Sequence, residues 1–291
     1  MPDNPQALPG QVFALPGHRV IALEGRDAAV FAQAQFMNDV KALADGHWQW
    51  SGWLTAKGRV IALFALLRLS EQSILLLVPD ADASALVESL KRFLFRSKLT
   101  IVLREDRVIE ARFAAPLLAR GAQIGGDEAT GLELDFGGDG GPRSVRIVAG
   151  GANADHDPAS LARWTAQDLR HGLPRLPASQ TEQWTPQQLS LERLRAFSVK
   201  KGCYPGQEIV ARTHFLGKAK RGLILFESPA QVAAGAEVRG EAAVLGTVAA
   251  SADDGSGHLA LAVLPLERAQ GDASIAGHAV SEIALLDGLA R

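Results

Sequence analysis

The sequence has a single cysteine, Cys203, in 291 residues, and no apolar run of the length that crosses a membrane. One cysteine excludes an internal disulfide framework, which favours a reducing, cytoplasmic location. A membrane-spanning helix needs about 18 or more apolar residues, so no membrane anchor is expected. Residues 1–10 are polar and contain prolines, without the apolar segment of an export signal. We therefore expect a soluble cytoplasmic protein.

A strong net charge is also missing, since the formal net charge is -2. Such a balance gives no general attraction to nucleic acid or to an anionic membrane. The local charge differs, because residues 192–221 contain two acidic side chains and eight basic ones: Arg193, Arg195, Lys200, Lys201, Arg212, Lys218, Lys220 and Arg221. This basic stretch is either a solvated surface or a binding site for a polyglutamate tail, a phosphate-bearing partner or RNA.

Signatures of the common enzyme classes are missing as well. The histidines form no close pair with metal-ligand spacing, so no metal site is predicted. Neither a G-x-S-x-G nucleophile elbow nor a Rossmann fingerprint occurs. The glycines at 137–141 lack the Lys-Ser/Thr pair and the following helix of a phosphate-binding loop, so they predict a flexible turn.

The residues with the greatest chemical potential surround Cys203. Lys200 and Lys201 come directly before the cysteine, and their positive charge should favour its thiolate form. A thiolate is the form that attacks electrophiles and binds metals. The alternative is that the cysteine is a small, buried, unreactive side chain.

A short helix is predicted directly after the cysteine, from Pro205 to Arg212. Proline suits the first helical position, and Glu208 stands four residues before Arg212, the spacing of neighbours on a helix surface. The positive end of this helix would support an anion near the cysteine. Gly202 and Gly206 permit unusual backbone angles or the close approach of a ligand. The alternative is a solvated Glu–Arg pair of little energetic value.

The order of predicted elements in the first two thirds of the chain is typical of an α+β fold. Two strands, a helix and a strand follow one another, which is the rhythm of a ferredoxin-like split α/β unit. The predicted strands are 19–23, 60–69, 74–78, 98–103, 107–113 and 143–148. The predicted helices are 27–40 (with Val30, Phe31, Ala34 and Met37 inward), one from Asp80 or Asp82 that turns Leu86, Leu90, Phe93 and Leu94 inward, 157–171 and 186–194.

Short β-rich runs divided by glycines predict a small barrel after Arg221. The runs are 223–226, 236–239, 244–250, 258–264 and 280–285. We therefore expect a body at 1–221, with about 50–105 as one lobe, and a C-terminal barrel at 222–291. Within the body, Trp48, Trp50 and Trp53 either pack in the core or form a wall that stacks on a pterin ring.

The run Lys201-Gly202-Cys203-Tyr204-Pro205-Gly206-Gln207-Glu208, followed by Arg212, resembles the signature of the YgfZ-type folate-binding family. That family is related to the glycine cleavage T-protein, an aminomethyltransferase, and to mitochondrial factors that help to mature iron–sulfur proteins. Similar stretches occur at 35–39, 52–59, 172–174 and 182–186, so the resemblance covers most of the chain in the family's order.

The resemblance implies a T-protein-like folate-binding body with ferredoxin-like units, and tetrahydrofolate or a one-carbon derivative as cofactor. Folate contacts are expected from Asn38, Asp39, Trp53, Glu182, Gly202, Gln207, Glu208 and Arg212. Cys203, with Lys201, is expected to act at the mouth of the folate pocket. In the T-protein a glutamate before the glycine equivalent to Gly172 binds the pterin. Here Arg170-His171 stand in its place, and Glu182 is the candidate substitute.

The resemblance thus implies a folate-dependent accessory protein that supports assembly or repair of iron–sulfur clusters and, through it, tRNA modification. Its expected partners are folate, iron–sulfur proteins or their assembly factors, and tRNA through a weak or indirect contact. The first alternative is a one-carbon transferase or demethylase that uses tetrahydrofolate, for which Asp39 is the only nominated carboxylate. The second is an RNA-binding module formed by the basic stretch.

Overall fold

The computed structural model describes residues 10–150, 156–217, 219–268 and 271–291. Within them the helices are α1 (Ala28–Gln35), α2 (Ala83–Lys91), α3 (Pro158–Arg170) and α4 (Gln207–Leu216). The strands are β1 (Phe13–Ala14), β2 (Arg19–Glu24), β3 (His47–Leu54), β4 (Val60–Ser70), β5 (Ser73–Val78), β6 (Thr100–Leu103), β7 (Arg107–Arg112), β8 (Gly125–Asp127), β9 (Gly131–Asp135), β10 (Ser144–Ala149), β11 (Arg221–Ser228), β12 (Glu237–Arg239), β13 (Val244–Asp253), β14 (His258–Pro265), β15 (Ala273–Ile275) and β16 (His278–Ile283).

One antiparallel sheet, in the order β3-β4-β5-β2-β6, carries α1 and α2 on one face. Alternate residues of a strand point to opposite faces. On β4, Phe64 and Leu66 therefore pack under the helices, while Leu63 and Leu67 face the central core. Because both faces are buried, β4 is an almost continuous apolar run. The sequence also predicts a hairpin turn at 57–59 that leads into β4, and pairing of β4 with β5 across 71–72. Both hairpins are confirmed.

A second antiparallel sheet, in the order β1-β7-β10-β9-β8, packs with α3 on the other side of the central core. The edge strands β1 and β8 and the inner strand β9 were not predicted. The strand β1 has only two residues, and the glycines between 121 and 141 make the region of β8 and β9 look like a loop in the sequence. The turn predicted at 137–141 is confirmed: Gly138 and Gly141 pair their backbones between β9 and β10.

The C-terminal strands close into a six-stranded barrel in the order β11-β14-β13-β12-β15-β16. This confirms the predicted α+β class with a C-terminal barrel. All five predicted barrel strands are present, and the sixth, β15, has only three residues. The domain limits at 221 and 222 stay a prediction. Among the described residues, no helix is long and apolar enough to cross a membrane.

The helices predicted at the positions of α2 and α3 are confirmed, and each begins with an aspartate cap. Asp82 and Asp157 accept hydrogen bonds from the first-turn amides of α2 and α3, as Asp caps do. The sequence predicts Gly172 as the C-terminal stop of this helix, and the residue, with a φ of 70°, ends the α3 segment there. The helix predicted at 186–194 is wrong, because the segment is a series of turns in which Ser190 adopts a φ of 47°.

The prediction that α1 reaches Val40 is also wrong. The helix ends at Gln35, and Val30 and Ala34, which were expected to face the core, are exposed. Asp27 does not cap the helix through its side chain. Its carboxylate instead accepts a hydrogen bond of 2.7 Å from the backbone N–H of Lys98.

Candidate functional site

Lys201 lies inside the protein, with only 5% of its surface exposed. Its ammonium donates to the backbone carbonyls of Gln33 at 2.6 Å and Asn38 at 3.1 Å, and also to that of Phe36. These carbonyls lie at the C-terminal end of α1 and in the turn after it, where helix carbonyls lack partners within the helix. A cation is favourable there because the helix dipole is negative at this end.

The buried environment of Lys201 changes its protonation. Burial lowers the pKa of its ammonium to about 8, while the charge of Asp39 acts in the opposite direction. The Tyr204 ring lies over the ammonium, with 4.8 Å between the nitrogen and the ring centroid. The Tyr204 hydroxyl donates to the carbonyl of Ser198 at 3.2 Å, and burial raises the pKa of this hydroxyl. Lys201 and Tyr204 thus fix the loop from inside.

Asn38 links the turn after α1 to β3 and to the segment before the Lys201 loop through its side chain. Its amide nitrogen donates to the carbonyls of Trp50 at 2.8 Å and Arg195 at 2.7 Å, and its amide oxygen accepts from the N–H of Asp39 at 2.9 Å. The Asp39 carboxylate accepts from Gln33 at 3.1 Å and from two backbone N–H groups. Both residues predicted as folate ligands therefore hold the turn after α1.

Cys203, by contrast, is exposed. The alternative of a buried cysteine is therefore wrong, while the reactivity of the thiol stays a prediction. The positive charge of Lys201 was expected to favour the thiolate. This part of the prediction is wrong, because the ammonium of Lys201 points to backbone carbonyls. Within the described parts of the chain, no hydrogen bond joins Lys201 to the thiol. Gly202 is exposed too, and a Cβ placed there would meet no atom within 4 Å, so close packing does not require glycine.

The helix α4 begins at Gln207, two residues later than predicted. Gly206 precedes it with a φ of 79°, and a Cβ there would lie 2.6 Å from the carbonyl oxygen of Thr55 and 2.7 Å from the Cα of Gly58. Glycine is therefore required where α4 meets the turn between β3 and β4. The Gln207 side chain donates to the carbonyl of Lys201 at 3.0 Å and closes the loop.

The predicted pair of Glu208 and Arg212 is exposed on α4, and no salt bridge joins the two in the described part of the chain. The basic stretch is also smaller than the sequence indicates. Lys201 points inward, Arg193 pairs with Asp287 at 2.8 Å, and Lys218 lies outside the described residues. The remaining exposed cations are Arg195, Lys200, Arg212, Lys220 and Arg221.

Glu182 is exposed in a left-handed conformation, with a φ of 62°. Its N–H donates to the carbonyl of Val60 at 2.9 Å, and the N–H of Val60 donates to the carbonyl of Trp184 at 2.8 Å. The loop that carries Glu182 is therefore joined to the β3–β4 hairpin, whose turn contacts Gly206 from another side. The Glu182 loop and the loop around Cys203 are therefore both attached to the β3–β4 hairpin.

The three tryptophans of β3 are core residues. Trp48 and Trp50 form a cluster with Phe136, with ring centroids 5.3 to 5.4 Å apart. Trp53 lies in the other cluster, under α1 and α2, with its ring centroid 5.8 Å from that of Phe93 in an edge-to-face arrangement. Since all three are at most 5% exposed, they form no open aromatic wall. The core interpretation of these residues is therefore confirmed.

Sequence reasoning missed a cleft of about 760 Å³ between the second half of α4, the 187–197 turns and the end of β14. Gln187, which is 5% exposed, donates from its amide nitrogen to the carbonyl of Val210 at 2.8 Å. Its amide oxygen is buried without a partner among the described residues. Glu192, Phe197 and Lys220 also line the cleft. These residues are far apart in the sequence, so spacing gave no signal.

Comparison with known proteins finds several relatives, some of which carry the same name. No family model matches the chain. The tRNA-modifying protein YgfZ of Serratia proteamaculans is 30% identical over 254 residues, which cover 79% of this chain and 75% of that protein. The protein of the same name from Colwellia psychrerythraea is 29% identical over 230 residues, covering 72% of this chain and 68% of that one. An uncharacterized protein of Haemophilus influenzae is 28% identical over 227 residues, or 76% and 75% of the two chains.

A solved structure has the same fold. The crystal structure of glycine cleavage system aminomethyltransferase T from Bartonella henselae matches with a TM-score of 0.70, over 94% of this chain and 84% of that one. The sequence identity is 15%, so this likeness concerns the fold alone.

Proposed function

The chain belongs to the YgfZ family, and from this membership we propose that it is a folate-binding accessory protein that supports assembly or repair of iron–sulfur clusters and, through it, tRNA modification. Support comes from relatives that are named tRNA-modifying proteins and from the fold of an aminomethyltransferase. The observation that carries the proposal is the contrast between an exposed Cys203 and a buried Lys201 in one loop.

This loop holds its thiol in a defined position. The Lys201 ammonium, the Asn38 amide and the Gln207 amide fasten the backbone on both sides of Cys203. A thiol presented in this way can act on a partner at little further cost in conformational entropy. As a thiolate it would bind iron of a partner's cluster, or attack a disulfide of that partner to form a mixed disulfide and release the partner's other sulfur as a thiolate.

The residues of the α4 cleft fit a folate. Pterin rings carry N–H groups, and the buried oxygen of Gln187 has no partner among the described residues. Phe197 offers an aromatic face to the flat ring, and Lys220 at the rim can pair with a glutamate carboxylate of the tail. When bound, folate would supply a carrier for a one-carbon unit. The side chains here would bind and orient it, with Glu192 as a further acceptor.

Replacement of Cys203 by alanine tests the role of the thiol. In cells whose only copy carries Cys203→Ala, we expect iron–sulfur enzyme activities to fall to the level of cells without the protein. Thermal stability should stay the same, because the side chain is exposed. The matched control is Val30→Ala, an exposed side chain on α1 to which the proposal gives no role, and we expect it to leave these activities normal. Normal activities in the Cys203→Ala cells would refute the proposed role of the thiol.

The fold of an aminomethyltransferase favours one alternative, the transfer of a one-carbon unit to tetrahydrofolate. Such a reaction needs a carboxylate near the reacting nitrogen. The nominated Asp39 already accepts three hydrogen bonds at one oxygen, which weakens this alternative. Incubation of the purified protein with tetrahydrofolate and candidate aminomethyl donors distinguishes the two. Multiple turnovers to methylenetetrahydrofolate would favour the transferase, and no product is expected from an accessory protein.

A further inference from the structure

A second basic segment, remote from Cys203 in the sequence, forms the turn after α2. From Ser89 to Arg104 the sequence contains five Lys or Arg residues and no acidic residue, in a chain whose net charge is -2. Residues 91–98, Lys-Arg-Phe-Leu-Phe-Arg-Ser-Lys, form the centre of this segment and are called the 91–98 turn below. Neither the fold nor the proposed function gives this turn a role.

The 91–98 turn holds an aromatic ring out in solvent. Phe95 is 89% exposed, and its φ of 44° lies in the left-handed region, which bulky residues rarely adopt. Phe93 is 38% exposed, and its ring packs edge-to-face against Trp53, with 5.8 Å between the ring centroids. One phenylalanine is therefore fixed to the core, while the other, two residues away, has an open ring face. An exposed bulky ring on a strained backbone points to a functional constraint.

The turn is also anchored. The N–H of Lys98 donates to the Asp27 carboxylate at 2.7 Å, and the N–H of Asp27 donates back to the carbonyl of Lys98 at 3.3 Å. The first of these bonds is the main cause of the lowered pKa of Asp27. Within the turn, the N–H of Ser97 donates to the carbonyl of Leu94 at 2.7 Å. Phe95 therefore stands on a fixed loop.

The cations of the 91–98 turn are free to bind a partner. Arg92, Arg96 and Lys98 are exposed, and they form no salt bridge with any residue that the structure describes. Only Lys91 is paired, with Glu88 at 2.8 Å. Three unpaired cations beside an open aromatic ring complement a polyanion that carries flat rings. Single-stranded nucleic acid combines both features, since cations follow its phosphates and aromatic side chains stack on its bases.

We propose that the 91–98 turn is a docking surface for a single-stranded segment of RNA, in which Phe95 stacks on an unpaired base and Arg92, Arg96 and Lys98 contact the flanking phosphates. An anionic lipid surface fits less well, because a single exposed ring offers little apolar area for insertion. An acidic peptide would use the cations but not the ring face. The inference goes beyond the proposed function, since folate binding and the role of Cys203 do not require it.

Fluorescence anisotropy with a labelled single-stranded RNA of roughly 12 nucleotides tests the proposal. We expect Phe95→Ala to weaken binding about tenfold, because one base–aromatic stack is lost, and Phe95→Trp to retain it. The double variant Arg92→Gln, Arg96→Gln should lower the slope of log affinity against log salt by about 1.4, since each lost phosphate contact to a single strand contributes about 0.7. Thermal stability of all three variants should match the wild type, because these side chains are exposed.

The matched control is Arg212→Gln, Arg221→Gln, which removes the same charge from the basic stretch near Cys203. We expect its affinity for the RNA to stay within about twofold of wild type, because the proposal places no RNA contact at these two residues. Equal losses in both double variants would overturn the proposal. It would also be overturned by unchanged binding of Phe95→Ala, or by a wild type that binds phosphatidylglycerol vesicles but no RNA. Since folate titration reports on a different site, failure here leaves the proposed function standing.

Discussion

The two basic segments of this protein use their charge in opposite ways. In the loop at 198–207, Lys201 points inward, because the end of α1 leaves backbone carbonyls that an ammonium can satisfy. In the 91–98 turn, Arg92 and Arg96 point outward, because the local backbone groups are bonded within the turn and to Asp27. A run of cations in a sequence therefore does not say where its charge lies. The unpaired carbonyls of neighbouring segments decide it.

Lys201→Met should have the largest effect on stability. The variant leaves three buried carbonyls without their donor, and we expect the free energy of unfolding to fall by about 3 kcal/mol. Lys200→Met is the matched control at an exposed neighbour, with an expected change within about 0.5 kcal/mol. Urea denaturation measures both. Equal losses in the two variants would contradict the inward role assigned to Lys201.

A similar contrast is expected between two glycines that stand four residues apart. Gly206→Ala should lower the free energy of unfolding by about 2 kcal/mol, because a Cβ would clash with the backbone at Thr55 and the residue has a positive φ. Gly202→Ala should change it by less than about 0.5 kcal/mol, because the space around it is open. Thermal unfolding of both variants checks the difference. A Gly206→Ala protein as stable as the wild type would show that the contact of α4 with the β3–β4 hairpin is not tight.

The pH dependence of stability gives a smaller effect. The pKa of Lys201 is about 8 in the folded protein, and an ordinary lysine in the unfolded chain has a pKa of about 10.4. Between these values the unfolded chain holds a proton that the folded protein has released. The contribution of Lys201 to stability should therefore rise with pH in this window, by at most about 1.4 kcal/mol per unit.

The measurement is the free energy of unfolding of the wild type minus that of Lys201→Met, taken across the same pH range. Other titrating groups cancel in this difference. It should be flat below the folded pKa and increase above it. A difference that falls with rising pH would mean that the three carbonyls hold the ammonium charged at a pKa above that of the unfolded chain.

Much of the fold could be predicted from the sequence, because strong local signals mark it. The Asp82 and Asp157 caps, the stop at Gly172 and the hairpin turns at 57–59 and 71–72 all act over a few residues. The errors arose where tertiary contacts prevail over local preference. Asp27 bonds to Lys98 instead of capping its own helix, and this contact is not visible in local sequence.

The candidate site could be predicted only in part. The importance of the segment around Cys203 follows from its unusual composition and its resemblance to a family signature. The direction of the Lys201 side chain depends on carbonyls more than 160 residues away in the chain. The α4 cleft joins Gln187, Phe197 and Lys220 with the end of β14, and only folding brings these together. Spacing in the sequence could therefore name the loop but not the cleft.

The most direct test of the central claim is calorimetric titration of the purified protein with tetrahydrofolate, repeated on Cys203→Ala, Lys220→Gln and Gln187→Leu. The account predicts that the wild type and Cys203→Ala bind equally well. Lys220→Gln should bind several-fold more weakly and Gln187→Leu about tenfold more weakly, because a hydrogen bond is lost. Thermal unfolding must show each variant folded. Absence of binding by the wild type, or equal binding by all four proteins, would contradict a folate site in the α4 cleft.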